Sequence, residues 1–106
     1  MNESFKLLED SISAAGVNSD EVKYVTIGFN ADAHNWFLDD QNKYEWDGPK
    51  TQFEIDGLIE FYEKLIADHP LLELIEDPMA SVDVEGYKKF IEKVKTDHKH
   101  INIVIS

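Results

Sequence analysis

The chain has 106 residues, no cysteine, and 22 acidic against 10 basic residues, a net charge of −12 at pH 7. That length fits one domain with a modest core, and the charge argues against nucleic acid and anionic membrane surfaces, which both need Lys and Arg clusters. Without cysteine there are no disulfides or thiolate metal sites; no apolar run approaches the roughly 18 residues of a membrane span, and the acidic start MNESFKLLED does not read as a signal peptide, so a cytoplasmic protein is expected.

The first predicted element is a helix over residues 3–15. Phe5, Leu8, Ile12 and Ala15 fall at spacings of three and four, one stripe of a helix. Asn2 is placed to cap it, and Gly16 stands where a left-handed C-terminal residue is wanted. VKYVTIGF (22–29) then reads as a strand. Residues 35–50 break the pattern: NWFLDDQNKYEWDGPK carries two tryptophans and two turn signals, as expected of a hairpin.

A second helix is predicted over 55–68, with Leu58, Tyr62, Leu65 and Ile66 as its stripe and Pro70 as its stop. LLELIE (71–76) is a strand, and the third helix spans 84–95 with Asp83 as N-cap and Val84, Tyr87, Phe90, Ile91 and Val94 on its apolar face. INIVI (101–105) is the last strand. The second and third strands are nearly continuous apolar runs, which suits burial on both faces in a parallel sheet. Helix and strand alternation gives an α/β fold in a single unit, 1–106, with right-handed crossovers.

In parallel α/β folds, functional side chains gather beyond the C-terminal strand ends. Those positions are Asn30 and Asp32, then Glu76 and Asp77, then Ser106. Converging oxygen ligands are what Mg²⁺ requires. On spacing alone a second reading stands beside it, in which Glu76-Asp77-Pro78 is simply a polar strand exit into a turn.

IEDP at 75–78, following FYEKLIADHP at 61–70, resembles the enolase (phosphopyruvate hydratase) family, in which a strand closes on Glu-Asp-Pro. LLEDSISAAG (7–16) is similar to the family helix that ends in Ala-Gly, and VTIGFNADAHNWF (25–37) lies where its Gly-Met-Asp strand and the continuation belong. KYEWDGPK (43–50) is similar to the Lys-Tyr-Asp-Leu-Asp-Phe-Lys region, and INIVIS (101–106) to Ile-Gln-Ile-Val-Gly-Asp. The run from Leu71 to Ile75 is one residue longer than the family's. The resemblance implies part of a (β/α) barrel of enolase type, about three parallel strands with three helices and a hairpin excursion. It also implies the family reaction, Mg²⁺-dependent dehydration of 2-phosphoglycerate to phosphoenolpyruvate in glycolysis.

Carried over by position, the family's three metal carboxylates fall on Glu76, Asn30 and Ser106, so one of the three is still an acid. Asp32 is a partial substitute if the strand runs on to it. The lysine base and assisting glutamate lie outside the matched residues. The expectation is therefore an inactive, enolase-like chain with weak or absent Mg²⁺ binding. The alternative is a non-catalytic binding or structural module on the same scaffold. Three strands cut from a barrel leave two open edges, so the expected partner is the rest of such a barrel or a second copy.

Other candidates are weaker. His34 is a loop residue or faces a rim pocket. His98 and His100 with Asp97 are a chance metal group, or, with His69, residues that helix C-termini favour. Trp36 and Trp46 anchor the hairpin or stack on a ligand.

Overall fold

The computed structural model describes residues 2–45 and 51–106. Its elements are α1 (Asn2–Ala15), β1 (Ile27–Asn30), a 3₁₀ turn (Ala33–Trp36), β2 (Phe37–Leu38), β3 (Lys43–Glu45), β4 (Gln52–Phe53), α2 (Ile55–Asp68), β5 (Leu72–Glu76), α3 (Val84–Asp97) and β6 (Asn102–Val104). β1, β5 and β6 form a parallel sheet in that order, with β5 at its centre, while β2, β3 and β4 form a small antiparallel meander. The predicted hairpin is thus a three-stranded unit, because β4 joins after the turn. The predicted turn at 47–49 and Trp46 lie outside the described residues.

The three helices stand where the sequence puts them. In α2, Leu58, Tyr62, Leu65 and Ile66 are all buried. In α3, Asp83 caps the start by accepting the Gly86 N–H at 2.9 Å. Glycine at 86 lets this cap close, since a Cβ there would collide with the Asp83 carboxylate. Gly16 takes the left-handed conformation, φ +67°, that ends α1.

Several expectations need correction. The first strand begins at Ile27, not at residue 22. Upstream, the Asn18 side chain takes both the N–H and the C=O of Val25, and Ser19 binds Val22, so these groups are lost to the ladder. Asn2 lies within α1 rather than ahead of it, and its side chain is outside the described atoms. Leu8 and Ala15 in α1 and Val84 in α3 are exposed. α1 meets the body instead through buried Phe5, Glu9 and Ile12.

Among the described residues the sheet is covered on one face only. Phe29, Ile75 and Ile103 share a rung and pack into the core, whereas Leu74 and Val104, on the other face, are 36% and 38% exposed. The apolar runs therefore mark a sheet built for two covers, with one in place among the described residues. Among the described residues β1 and β6 each pair along one edge only. The radius of gyration, 14.7 Å, exceeds the ~13 Å of a closed domain of similar length.

Aromatic rings carry the core from the meander to α3. Phe53 packs on Phe61 (centroids 5.4 Å apart), Phe61 on Tyr62 (5.8 Å) and Tyr62 on Phe90 (5.2 Å). The helix C-termini are tied by a repeated device. His69, at the end of α2, meets Glu9 of α1 at 2.9 Å, and His98, at the end of α3, meets Glu63 of α2 at 2.9 Å. Each histidine's own N–H closes the last helical turn, and its C=O accepts an N–H three residues on, from Leu72 opening β5 and from Ile101 just before β6.

Candidate site at the strand ends

Parallel pairing sets Asn30 directly beside Glu76, and Glu76 beside Val104. Residues in one rung of a sheet point to one face, so Asn30 and Glu76 share the open face at the C-terminal rim. Ser106 lies two residues beyond Val104. The structure thus brings two of the three carried-over positions into register, and sets the third further out.

What these groups touch decides what they can hold. Asn30 Oδ1 accepts the N–H of Asp32 at 2.9 Å. Ser106 donates its hydroxyl to an Asp77 carboxylate oxygen, and its N–H to the other at 2.9 Å. The Glu76 carboxylate makes no hydrogen bond or ion pair among the described residues. Asp32 cannot stand in for the aspartate missing at 30 as an extended residue would. Its φ is 49°, left-handed, which turns the chain off the strand into the 3₁₀ turn, and its carboxylate accepts the Asn35 amide.

Mg²⁺ needs a near-octahedral shell of oxygens and enough anionic charge to displace water. Here the three carried-over positions supply one carboxylate, one amide oxygen already accepting a hydrogen bond, and one hydroxyl committed to a neighbour, while the adjacent Asp32 and Asp77 carboxylates are taken up by Asn35 and Ser106. That donor set does not fit a resident Mg²⁺. Among the described residues no group of three or more His, Asp or Glu is arranged for a metal, the His98, His100 and Asp97 cluster included.

Two features escaped sequence reasoning. The first is what the strand-end residue Asp77 does: it adopts φ 48° directly after β5, and the two Ser106 hydrogen bonds, the hydroxyl first, hold its carboxyl below the usual range. The second is a tyrosine cradle around the exit loop. Tyr62 of α2 donates to the Pro78 carbonyl at 2.7 Å, Tyr87 of α3 to the Met79 carbonyl at 3.0 Å, and Tyr44 of β3 accepts the Ala80 N–H at 2.8 Å. Tyr44 also donates to Asp83 at 2.7 Å.

Three consecutive backbone groups just past Glu76-Asp77 are thus held from three elements. Burial pushes all three phenols up, with the Asp83 hydrogen bond adding to the effect at Tyr44. The contacts span 36 residues between Tyr44 and Ala80, beyond any local pattern. Their only sequence signals were the apolar stripes of α2 and α3, which hold Tyr62 and Tyr87.

A recess of about 190 Å³ opens beside Asp77, between Asp32, His34, Ser81, Tyr87 and Ser106. His34 is exposed and lines it, its Nδ1 within reach of the Ser81 N–H (3.3 Å) and hydroxyl (3.1 Å). Trp36 is half-buried against the core, so it anchors the meander.

A comparison with curated proteins returns no match. The profile described as "Enolase, C-terminal TIM barrel domain" matches residues 1–105. Together with the parallel βα order and a glutamate closing the central strand, this match across nearly the whole chain shows that the protein belongs to the enolase family, as a partial segment of its C-terminal barrel.

Proposed function

We propose that this chain, residues 1–106, is a single enolase-type barrel segment that acts as a non-catalytic binding or structural module. The observation that carries the reading is the donor set at the strand ends, with Glu76 as its one uncommitted carboxylate. The family reaction builds negative charge on its intermediate, which fixed cations must offset. With Asn30 and Ser106 in place of acids, and Asp32 and Asp77 bonded to Asn35 and Ser106, Glu76 alone is left to keep such a cation. The lysine base and assisting glutamate have no counterpart in the matched residues.

The expected partner is the remainder of an enolase-type barrel, or a second copy. Either would pair the open edges of β1 and β6 and cover the face bearing Leu74 and Val104. Nucleic acid and membrane are not expected partners at a charge of −12. No helix among the described residues is long and apolar enough to cross a bilayer, and a cytoplasmic setting is the reading in keeping with this.

The competing reading is a segment of an active Mg²⁺-dependent lyase of glycolysis, favoured by Glu76 standing at the end of the central strand. Dehydration of 2-phosphoglycerate by the 106-residue chain, followed by ultraviolet absorbance with millimolar Mg²⁺, tests whether the chain carries that activity by itself. The expected result is no turnover above a Glu76→Gln control. Turnover that disappears in that control establishes the lyase reading instead.

A further inference from the structure

We infer that Asp77, rather than a cation, ties the three strand ends of this chain together, and that Ser106 is the partner on which the tie depends. The inference builds on the non-catalytic reading above and concerns the same mouth. Four hydrogen bonds converge on Asp77. Its N–H donates to Val104 of β6 at 2.8 Å, and its C=O accepts the N–H of Ala33, just past β1, at 3.0 Å. Its carboxylate takes both the N–H and the hydroxyl of Ser106, just past β6. Asp77 itself directly follows β5. One residue therefore reaches the ends of all three strands.

The residue type at 106 is what makes this possible. A serine donates to the Asp77 carboxylate through both its N–H and its O–H. An ionised aspartate has no side-chain proton to give, and it would set a second negative charge against the first. Asn30 fits the same logic, since its neutral amide oxygen closes on the Asp32 N–H and needs no cation. Two positions that carry metal acids in the resemblance thus form hydrogen bonds within the rim. The conformation of Asp77 agrees with a held residue: φ 48° is a region that non-glycine residues enter at a cost, and they persist there when their surroundings fix them.

Thermal melts of the 106-residue chain test the tie. Asp77→Gly deletes the carboxylate while relieving the left-handed backbone. If conformation alone mattered, this variant would melt at or above the parent. The tie instead places it below the parent, and below Asp77→Asn, which keeps one carbonyl acceptor. Ser106→Ala is expected to fall by about 4 °C, the loss of one hydrogen bond in a chain of this length, and Ser106→Asp to fall further.

An Asp77→Gly melt at or above the parent, or a Ser106→Asp melt equal to it, overturns the inference. Should Asp77→Gly not fold, Ser106→Ala and Ser106→Asp still decide, because neither alters buried structure. A parent melt raised by millimolar Mg²⁺ and not raised in Glu76→Gln overturns the non-catalytic reading. The order of the Asp77 and Ser106 variants judges the tie separately.

Discussion

Tyr62→Ala is expected to leave this chain largely unfolded. Tyr62 is fully buried and sits at the centre of the aromatic run, against Phe61 on one side and Phe90 on the other. Truncating a buried aromatic ring costs about 3–5 kcal/mol through lost transfer energy and the cavity left behind. The phenol adds a second loss, because the Pro78 carbonyl that it satisfies is left with no donor in a buried loop. Whole domains are held by only ~5–15 kcal/mol, and a sheet with one open face stands at the low end. Tyr62→Phe separates the two contributions: it keeps the ring and should cost about 1–2 kcal/mol. Urea denaturation followed by circular dichroism measures both. Equal midpoints for Tyr62→Ala and the parent would show that the aromatic run does not hold the helices to the sheet.

The second large effect is expected at Asp83→Ala. Asp83 is 6% exposed and serves two masters: one oxygen caps α3 at the Gly86 N–H, and the other accepts the Tyr44 hydroxyl. Loss of an N-cap costs about 1 kcal/mol. A buried hydroxyl stripped of its acceptor adds about 1–3 kcal/mol, for a total of about 3 kcal/mol. Because Tyr44 also holds the Ala80 N–H, the loop after Glu76-Asp77 should loosen with it. Amide hydrogen exchange at Ala80 reads this directly, and faster exchange there than at α2 amides is the expected pattern. A double variant with Tyr44→Phe checks the coupling: if Tyr44 and Asp83 act through one another, the two losses will not add. Additive losses would place them in separate parts of the fold.

How much of this was legible depended on the range of the forces involved. Helix α2 is read residue for residue because its stripe and Pro70 are local signals. α3 runs two residues beyond its expected end, to Asp97, since nothing local stops it before His98. β1 was misplaced at its start because Asn18 captures the backbone of Val25 across seven residues, and periodicity does not register such a contact. Leu74 and Val104 carry the apolar signature of a strand covered twice, which a sequence shows whether or not the second cover is at hand.

The candidate site divides the same way. Positions 30 and 76 fall in register because strand ends follow from strand boundaries. Their chemistry does not follow from position. That Asn30 closes on Asp32, that Asp32 turns left-handed, and that Ser106 serves Asp77 are outcomes of loop geometry, decided only when distant strand ends meet.

Isothermal titration of Mg²⁺ into the 106-residue chain and into Glu76→Gln bears most directly on the claim that the strand-end mouth retains one free carboxylate and no resident cation. Binding weaker than millimolar in both proteins is the predicted result. Micromolar affinity in the parent that vanishes in Glu76→Gln would contradict it.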